Sequence, residues 1–296
     1  MKCGMNIIVG ATGQIGSLIL RQLKDANIQA RAVLRNPAKL FDKTLEFRQA
    51  DLFSLEEVKR AFEGGSTAFL ITPEDPNSND PIGDAEKIVE NYRSAVITTG
   101  IQKVIVLSSI GAHLQENTGN LAMSRILEQG FEDLAVEKIF IRPSYYYSNW
   151  LPYLDIVKQY GTLPTFFPEN LALDMNAPED VAKFIVLVLS GKIDNASQKI
   201  IELTGPGLYS SSDVATILSK VFGKEVQAQQ IPKENWRETL LSAGFTENAA
   251  KNIMEMTQVV VDGMAIPENP DKVIRLSTTL QKYFEGQTAI EDGIST

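Results

Sequence analysis

The stretch that decides the fold is "NIIVGATGQIGSLILRQL", residues 6–23. It opens as an apolar, β-branched run, passes three glycines, Gly10, Gly13 and Gly16, and closes as a pattern in which Ile15, Leu18, Ile19 and Leu23 share one face. The first part reads as a buried strand and the last as an amphipathic helix. A strand that turns through glycines into a helix leaves the amide hydrogens of the first helical turn free to hold an anion. Glycine permits positive φ at such a turn and lets a diphosphate approach the main chain. The spacing is three, three, and not G-x-G-x-x-G, and a glycine triplet can also serve only to seat a helix on a strand. The strand–turn–helix context favours the phosphate reading.

The chain outward from this stretch keeps the same rhythm. Apolar runs recur at "ARAVLR", "LEFRQA", "STAFLIT", "KVIVLSS" and "EKIFIRP", rich in Val, Ile and Phe as buried parallel strands are. Helical patterns lie between them; in "DAEKIVENYRSAVITTG", Ile88, Tyr92, Ala95 and Val96 fall on one side and Gly100 ends the run. Alternation of this kind predicts βαβ units, a parallel sheet and helices on both faces. After "RPSYYYSNW" the rhythm breaks. Residues 151–175, with Pro152, Gly161, Pro164 and Pro168, predict loop with short elements. A helix at 179–190, a strand at "KIIELTG", a helix at 212–222, a strand near 225–230 and helices near 233–243 and 247–261 follow, and the polar end "GQTAIEDGIST" is expected to fray. The expected architecture is α/β, a doubly wound parallel sheet with a smaller mixed α/β C-terminal lobe. Residues 1–150, rejoined by 176–204, form the sheet domain; 151–175 and 205–296 form the lobe, with a ligand crevice at the carboxyl ends of the strands.

Composition narrows the function. Of 296 residues 44% are hydrophobic and 22% charged, enough for a real core. Lys plus Arg number 28 against 37 Asp plus Glu, a net of −9, which disfavours direct nucleic-acid binding. The single cysteine, Cys3, cannot form an internal disulfide and fits a reducing compartment. No leader precedes the first strand and no apolar run reaches the roughly 18 residues of a membrane span, so a soluble cytoplasmic protein is expected. One histidine and one cysteine fall short of a metal-ligand set, and no G-x-S-x-G elbow points to a hydrolase.

Further motifs refine the anion. A carboxylate at the end of the second strand would bind a ribose 2′-hydroxyl; here "AVLRNP" places Arg35, whose guanidinium suits a 2′-phosphate. NADP(H) is the cofactor expected. In "QADLFS", Asp51 either accepts from an adenine amino group, with Leu52 against the ring, or caps the helix starting near Ser54.

Together "GATGQIG", "RAVLRNP", "QADL", "VIVLSSIGA" and "FIRPSYYYSNW" resemble the NmrA-like family of atypical short-chain dehydrogenase/reductases, and "APEDVAKFIVLVL", "IIELTGPGLYSSSDVATIL" and "IPKENWRETLLSAG" are similar to its later blocks. The resemblance implies an NAD(P)-binding Rossmann fold with a substrate cleft toward the lobe. It implies cofactor contacts at Gly10, Thr12, Gly13, Gln14, Ile15, Arg35, Asp51 and Leu52, at Ile71 and Thr72 after the fourth strand, and at Ser108 and Ser109 after the fifth. Typical short-chain dehydrogenases add a Tyr-x-x-x-Lys pair that donates a proton as hydride arrives. Here the corresponding positions are Asn120 and Ser124, and no tyrosine or lysine lies between His113 and Glu137. Ser124 can still bond a ribose or a substrate oxygen, or be a solvated helix serine. His113 is a candidate proton donor or a surface group. Tyr145, Tyr146 and Tyr147, with Phe166 and Phe167, either stack on a flat substrate or pack the lobe; Tyr146 is the candidate carried forward.

Reduction of a quinone gives a delocalised anion that water can protonate, so a site without the pair fits an NADPH-dependent reductase of a small, flat quinone- or azo-like acceptor. The alternative is a dinucleotide-sensing regulatory protein without turnover, acting through a protein partner. An epimerase, which relies on the missing pair, is the weakest option.

Overall fold

The computed structural model describes residues 4–193 and 199–291. Cys3 lies outside the described residues, as do 292–296. In chain order the elements are β1 (Met5–Val9), α1 (Gln14–Asp25), β2 (Ala30–Leu34), β3 (Glu46–Gln49), α2 (Leu55–Phe62), β4 (Gly65–Leu70), α3 (Pro81–Thr99), β5 (Lys103–Leu107), α4 (Leu121–Glu132), β6 (Glu137–Pro143), β7 (Tyr145–Tyr146), α5 (Leu154–Tyr160), β8 (Thr162–Thr165), β9 (Leu173–Asn176), α6 (Pro178–Leu189), β10 (Ile200–Thr204), β11 (Leu208–Tyr209), α7 (Ser211–Phe222), β12 (Gln227–Gln230), α8 (Trp236–Ser242), α9 (Glu247–Val261), β13 (Ile274–Arg275) and α10 (Leu280–Glu291).

Eight strands form one sheet in the order β13-β10-β6-β5-β4-β1-β2-β3. Every neighbouring pair is parallel, from Asn6 opposite Ala30 to Leu203 opposite Ile274. Alternate residues of a strand face opposite sides, and the apolar runs fill both. Ile8, Phe69, Ile105, Ile139 and Ile141 meet Ile19 and Leu23 of α1 and Val181 and Ile185 of α6. On the other face Ile7, Val9, Leu70, Val104 and Phe140 meet Val58 of α2, Ile88 and Tyr92 of α3, and Leu127 and Phe131 of α4. The strand order reverses between β1 and β4, which puts a crevice at their carboxyl ends. The α/β doubly wound fold is as expected.

A third apolar cluster builds the lobe, with Tyr147, Trp150, Leu154, Val214, Leu218, Leu280 and Phe284 at its centre. Two small sheets, β11-β9-β7 and β12-β8, border it. One expectation is corrected. The tail from Gly286 was expected to fray, yet residues 286–291 continue α10. Leu280, Tyr283 and Phe284 bury the helix's first turn in the lobe, and this anchoring suffices for a polar remainder to extend the helix. Among the described residues no helix is long and apolar enough to cross a membrane.

Candidate active site

The β1–α1 turn is a tight glycine turn leading into an uncapped helix. Gly10 has φ +68°, where a side chain costs about 1–2 kcal/mol. The Gly13 amide donates to the Gly10 carbonyl at 2.9 Å. A Cβ on Gly16 would overlap the Gly10 carbonyl and Ala11, so only glycine lets α1 lie this close to β1. No side chain caps α1 and its first turn carries no acid. Its leading amides therefore face the crevice without a partner. Thr12, Gly13 and Gln14 are exposed, whereas the Ile15 side chain is buried in the core and leaves only its main chain for a ligand.

The neighbouring strand ends converge here. The Ala11 amide donates to the Val33 carbonyl at 3.2 Å, tying the turn to the end of β2. Arg35 follows, exposed and with no hydrogen bond or ion pair to another described residue. Asp51 is exposed at the end of β3. The capping alternative is not realised: Ser54 is the N-cap of α2 and receives no side-chain bond from Asp51, whose Oδ1 accepts instead from the Phe53 amide at 3.0 Å. Leu52 packs toward the second core and its carbonyl accepts from Asn91 Nδ2 at 2.8 Å. Past β4, Ile71 leans on the first core, its carbonyl receiving the Tyr92 hydroxyl at 3.0 Å, and Thr72 is half-buried. These residues fit a dinucleotide: a glycine cradle that a Cβ would fill, unpartnered amides for a diphosphate, and a free guanidinium one strand away.

The carboxyl end of β5 carries a buried polar network. The Ser108 hydroxyl is buried and donates to Glu128 Oε1, so it belongs to the protein's own network. Glu128 receives Arg142 Nε at 2.7 Å and Nη2 at 2.6 Å; Arg142 Nη1 reaches Glu268 Oε2 at 2.6 Å. Burial opposes the Arg142 charge, but Glu128 and Glu268 outweigh it and hold the guanidinium above its usual pKa. Glu202 accepts from the amides of Glu268 at 2.8 Å and Asn269 at 2.9 Å, pinning that loop over β10. Ser109 donates to the Ile110 carbonyl at 3.0 Å.

His113 lies half-buried on the β5–α4 loop, its Nδ1 enclosed and unpartnered among the described residues. Asn120 heads α4, 8% exposed, with Oδ1 likewise enclosed and unpartnered. Ser124 is half-buried one turn further along, and its hydroxyl makes no hydrogen bond to another described residue. The three tyrosines separate. Tyr147 is fully buried, bonded to the Thr278 carbonyl at 3.2 Å and packed on Tyr209 and Tyr283, so it is lobe core. Tyr145 packs edge-on against Trp150 and Phe167, and Phe166 against Trp236. Tyr146 is half-buried with an enclosed, unpartnered hydroxyl, and burial pushes its pKa up, so it stays a neutral phenol. Among the described residues no group of three His, Cys, Asp or Glu could hold a metal ion. A hollow lined by Met5, Leu20, Lys24 and Glu46 opens at the opposite, amino ends of the strands and touches none of these groups.

Fold and turn define a doubly wound protein of the dinucleotide-binding class. More particularly, residues 5–284 match the NmrA-like family, and the chain belongs to it. It is 25% identical over 258 residues, 85% of this chain and 86% of the relative, to an NAD(P)H azoreductase from Xenophilus azovorans. The structure of an NADPH-dependent quinone oxidoreductase from Escherichia coli, complexed with NADPH, shares the fold with a TM-score of 0.76, 20% identity and coverage of 96% of this chain and 99% of that one. So does NmrA, a negative transcriptional regulator solved with NAD, at a TM-score of 0.75, 17% identity and coverage of 99% and 98%. The distant relatives thus include NAD(P)H-dependent reductases, and the fold neighbours a regulator.

Proposed function

We propose that this protein is an NADPH-dependent reductase of small, flat acceptors of the quinone or azo class. The observation that carries the reading is the uncapped start of α1, seated against Gly10 through Gly16. In this reading the amides of Thr12, Gln14 and Ile15 hold the diphosphate against the turn at Gly10 and Gly13, Arg35 takes the 2′-phosphate, and Asp51, Leu52, Ile71, Thr72 and Ser109 border the nucleotide. Ser108 contributes only its main chain. Residues 1–150 and 176–204 hold the cofactor, and 151–175 with 205–296 shape the acceptor's side. When bound, the reduced nicotinamide supplies hydride. Tyr146 and His113 offer enclosed polar atoms without protein partners, which suits hydrogen bonds to an acceptor, and Ser124 stands where the family's lysine would. The test is oxidation of NADPH by a simple benzoquinone and by an azo dye, followed by absorbance; turnover with either supports the reading, and none with a panel of both contradicts it.

A second reading, a dinucleotide-sensing regulator, is favoured by Asn120 and Ser124 occupying the tyrosine and lysine positions. It predicts a measurable preference between oxidised and reduced cofactor without turnover, and a protein partner.

A further inference from the structure

We propose that Asn176 is the positioning residue of the acceptor site: it fixes the bend that carries Tyr146 to the carboxyl edge of the sheet, where the Tyr146 hydroxyl donates to the acceptor. The assignment rests on the reductase reading above. On the face that α1 and α6 cover, Ile8, Phe69, Ile105 and Ile139 stand in register across β1, β4, β5 and β6, and none is more than 3% exposed. Two residues further along come Gly10, Ile71, Leu107 and Ile141. Gly10 has no side chain and Ile141 is buried, but Ile71 and Leu107 are only half-buried, although β4 and β5 lie at the centre of the sheet. Central parallel strands are ordinarily covered on both faces, so this face opens at the carboxyl ends of β4 and β5. The opening borders the glycine turn, since a Cβ on Gly10 would lie 2.3 Å from Ile71 Cδ1. Tyr146, three residues past the end of β6, packs on the same core and is also half-buried. It stands on the β6 side of the opening, as the glycine turn stands on the β1 side.

Asn176 holds Tyr146 in that place. After β6 the chain leaves the main sheet, and β7 pairs in parallel with β9, Tyr146 opposite Asn176. Asn176 is fully buried. Its Nδ2 donates to the Ser144 hydroxyl at 2.8 Å and to the Ser144 carbonyl at 3.2 Å, two residues before Tyr146, and reaches the Leu203 carbonyl at 3.5 Å. The Ser144 amide donates to the same Leu203 carbonyl at 2.9 Å. β9 is itself seated on the end of β10, for a Cβ on Gly205 would lie 2.0 Å from the Met175 carbonyl. The bend between β6 and β7 is thus stapled to both β9 and β10 through one amide. Asn176 Oδ1 has no partner among the described residues, so the side chain serves here through its N–H donors.

The staple sets which tyrosine faces the opening. Along an extended segment successive side chains point to opposite sides. Tyr145 and Tyr147 join the lobe cluster, whereas Tyr146 joins the core of the main sheet. Tyr147 shows what a structural tyrosine is here: it is fully buried and its hydroxyl donates to the Thr278 carbonyl. The Tyr146 hydroxyl has no partner among the described residues, and an enclosed hydroxyl left unpaired costs free energy that a ligand can recover. It donates one hydrogen bond to the carbonyl oxygen of a quinone or to a nitrogen of an azo group. That bond keeps its direction only while β7 keeps its place, which is the part played by Asn176.

The test is a double-mutant cycle read in the binding of an azo dye to the protein saturated with NADP+, followed by dye absorbance, and in the KM for the same dye with NADPH. Tyr146→Phe is expected to weaken the dye roughly three- to ten-fold, the scale of one hydrogen bond, and Asn176→Ala by a similar factor. The double variant is expected to be no weaker than Tyr146→Phe alone, and calorimetric NADP+ affinity to be unchanged in all three. Should Asn176→Ala fail to fold, Ser144→Ala removes only the hydroxyl that Asn176 Nδ2 holds. It is expected to weaken the dye by a smaller factor, and again not in the Tyr146→Phe background. Dye binding equal to wild type in Tyr146→Phe, in Asn176→Ala or, where that variant does not fold, in Ser144→Ala overturns the assignment alone. So does a loss that is the same with and without the Tyr146 hydroxyl, which a merely structural staple would give. A wild type that turns over neither quinones nor azo dyes overturns the reductase reading and this assignment with it.

Discussion

Arg35 is the residue on which cofactor choice turns. It is exposed, free of described partners and one strand from the glycine turn, the setting in which a guanidinium grips a phosphate rather than an internal carboxylate. Arg35→Glu is expected to weaken NADPH far more than NADH, by ten-fold or more on the scale of one charge-assisted pair (about 1.5–3 kcal/mol); equal loss for both, measured by calorimetry, would show that Arg35 does not select. A different residue carries stability. Arg142 and Glu128 are both nearly fully buried, 3% and 5% exposed, and a buried charge stripped of its partner costs about 3–5 kcal/mol. Glu128→Ala should lose about that much in urea denaturation, and Glu128→Leu combined with Arg142→Met should recover most of it. A single variant as stable as the wild type would mean that the pair relaxes into solvent. Arg35 was legible because its place is set by counting from a strand end. The burial of Ser108 was not, because it depends on Glu128, a partner distant in sequence.

Among the elements, α1 and β1 matter most. They meet through Gly16, whose Cβ would run into main-chain atoms of Gly10 and Ala11, and backbone cannot step aside as a flexible side-chain tip can. Gly16→Ala is expected to cost about 1–3 kcal/mol, the usual range for overpacking, and to weaken NADPH as well, because the same shift moves the helix start away from the cradle. A melting temperature and NADPH affinity both equal to wild type would contradict the close-packing role. The inner strands of the first half were readable because a parallel strand covered on both faces is largely apolar; β3, at the sheet edge, is mostly exposed and was readable only from the rhythm around it. The helix α3 was readable from its spacing and from Gly100, which closes it at φ +75°. Two kinds of element were less legible. α10 rests on three buried residues in one turn with a polar body behind them, and β13 is two residues long and is a strand only because β10 lies beside it.

At the scale of the whole molecule, an acidic chain of net charge −9 holds a polyanion only if local geometry overrides the overall field. The geometry here is the helix start and the guanidinium one strand away. The network of Arg142, Glu202 and Glu268 ties a loop of the C-terminal part to β6 and β10, so the far side of the crevice is fastened to the same sheet that presents the cradle. The family was legible from motif order along nearly the whole chain: the first-half motifs fall at strand ends, and the later ones on β10, α6, α7 and α8. The acceptor was not legible, because the surfaces facing it come from segments far apart in sequence. The most direct measurement is a calorimetric titration of the intact protein with NADPH and, separately, NADH. Heat from both, with NADPH the tighter, is the predicted result; a flat trace with both nucleotides would contradict it.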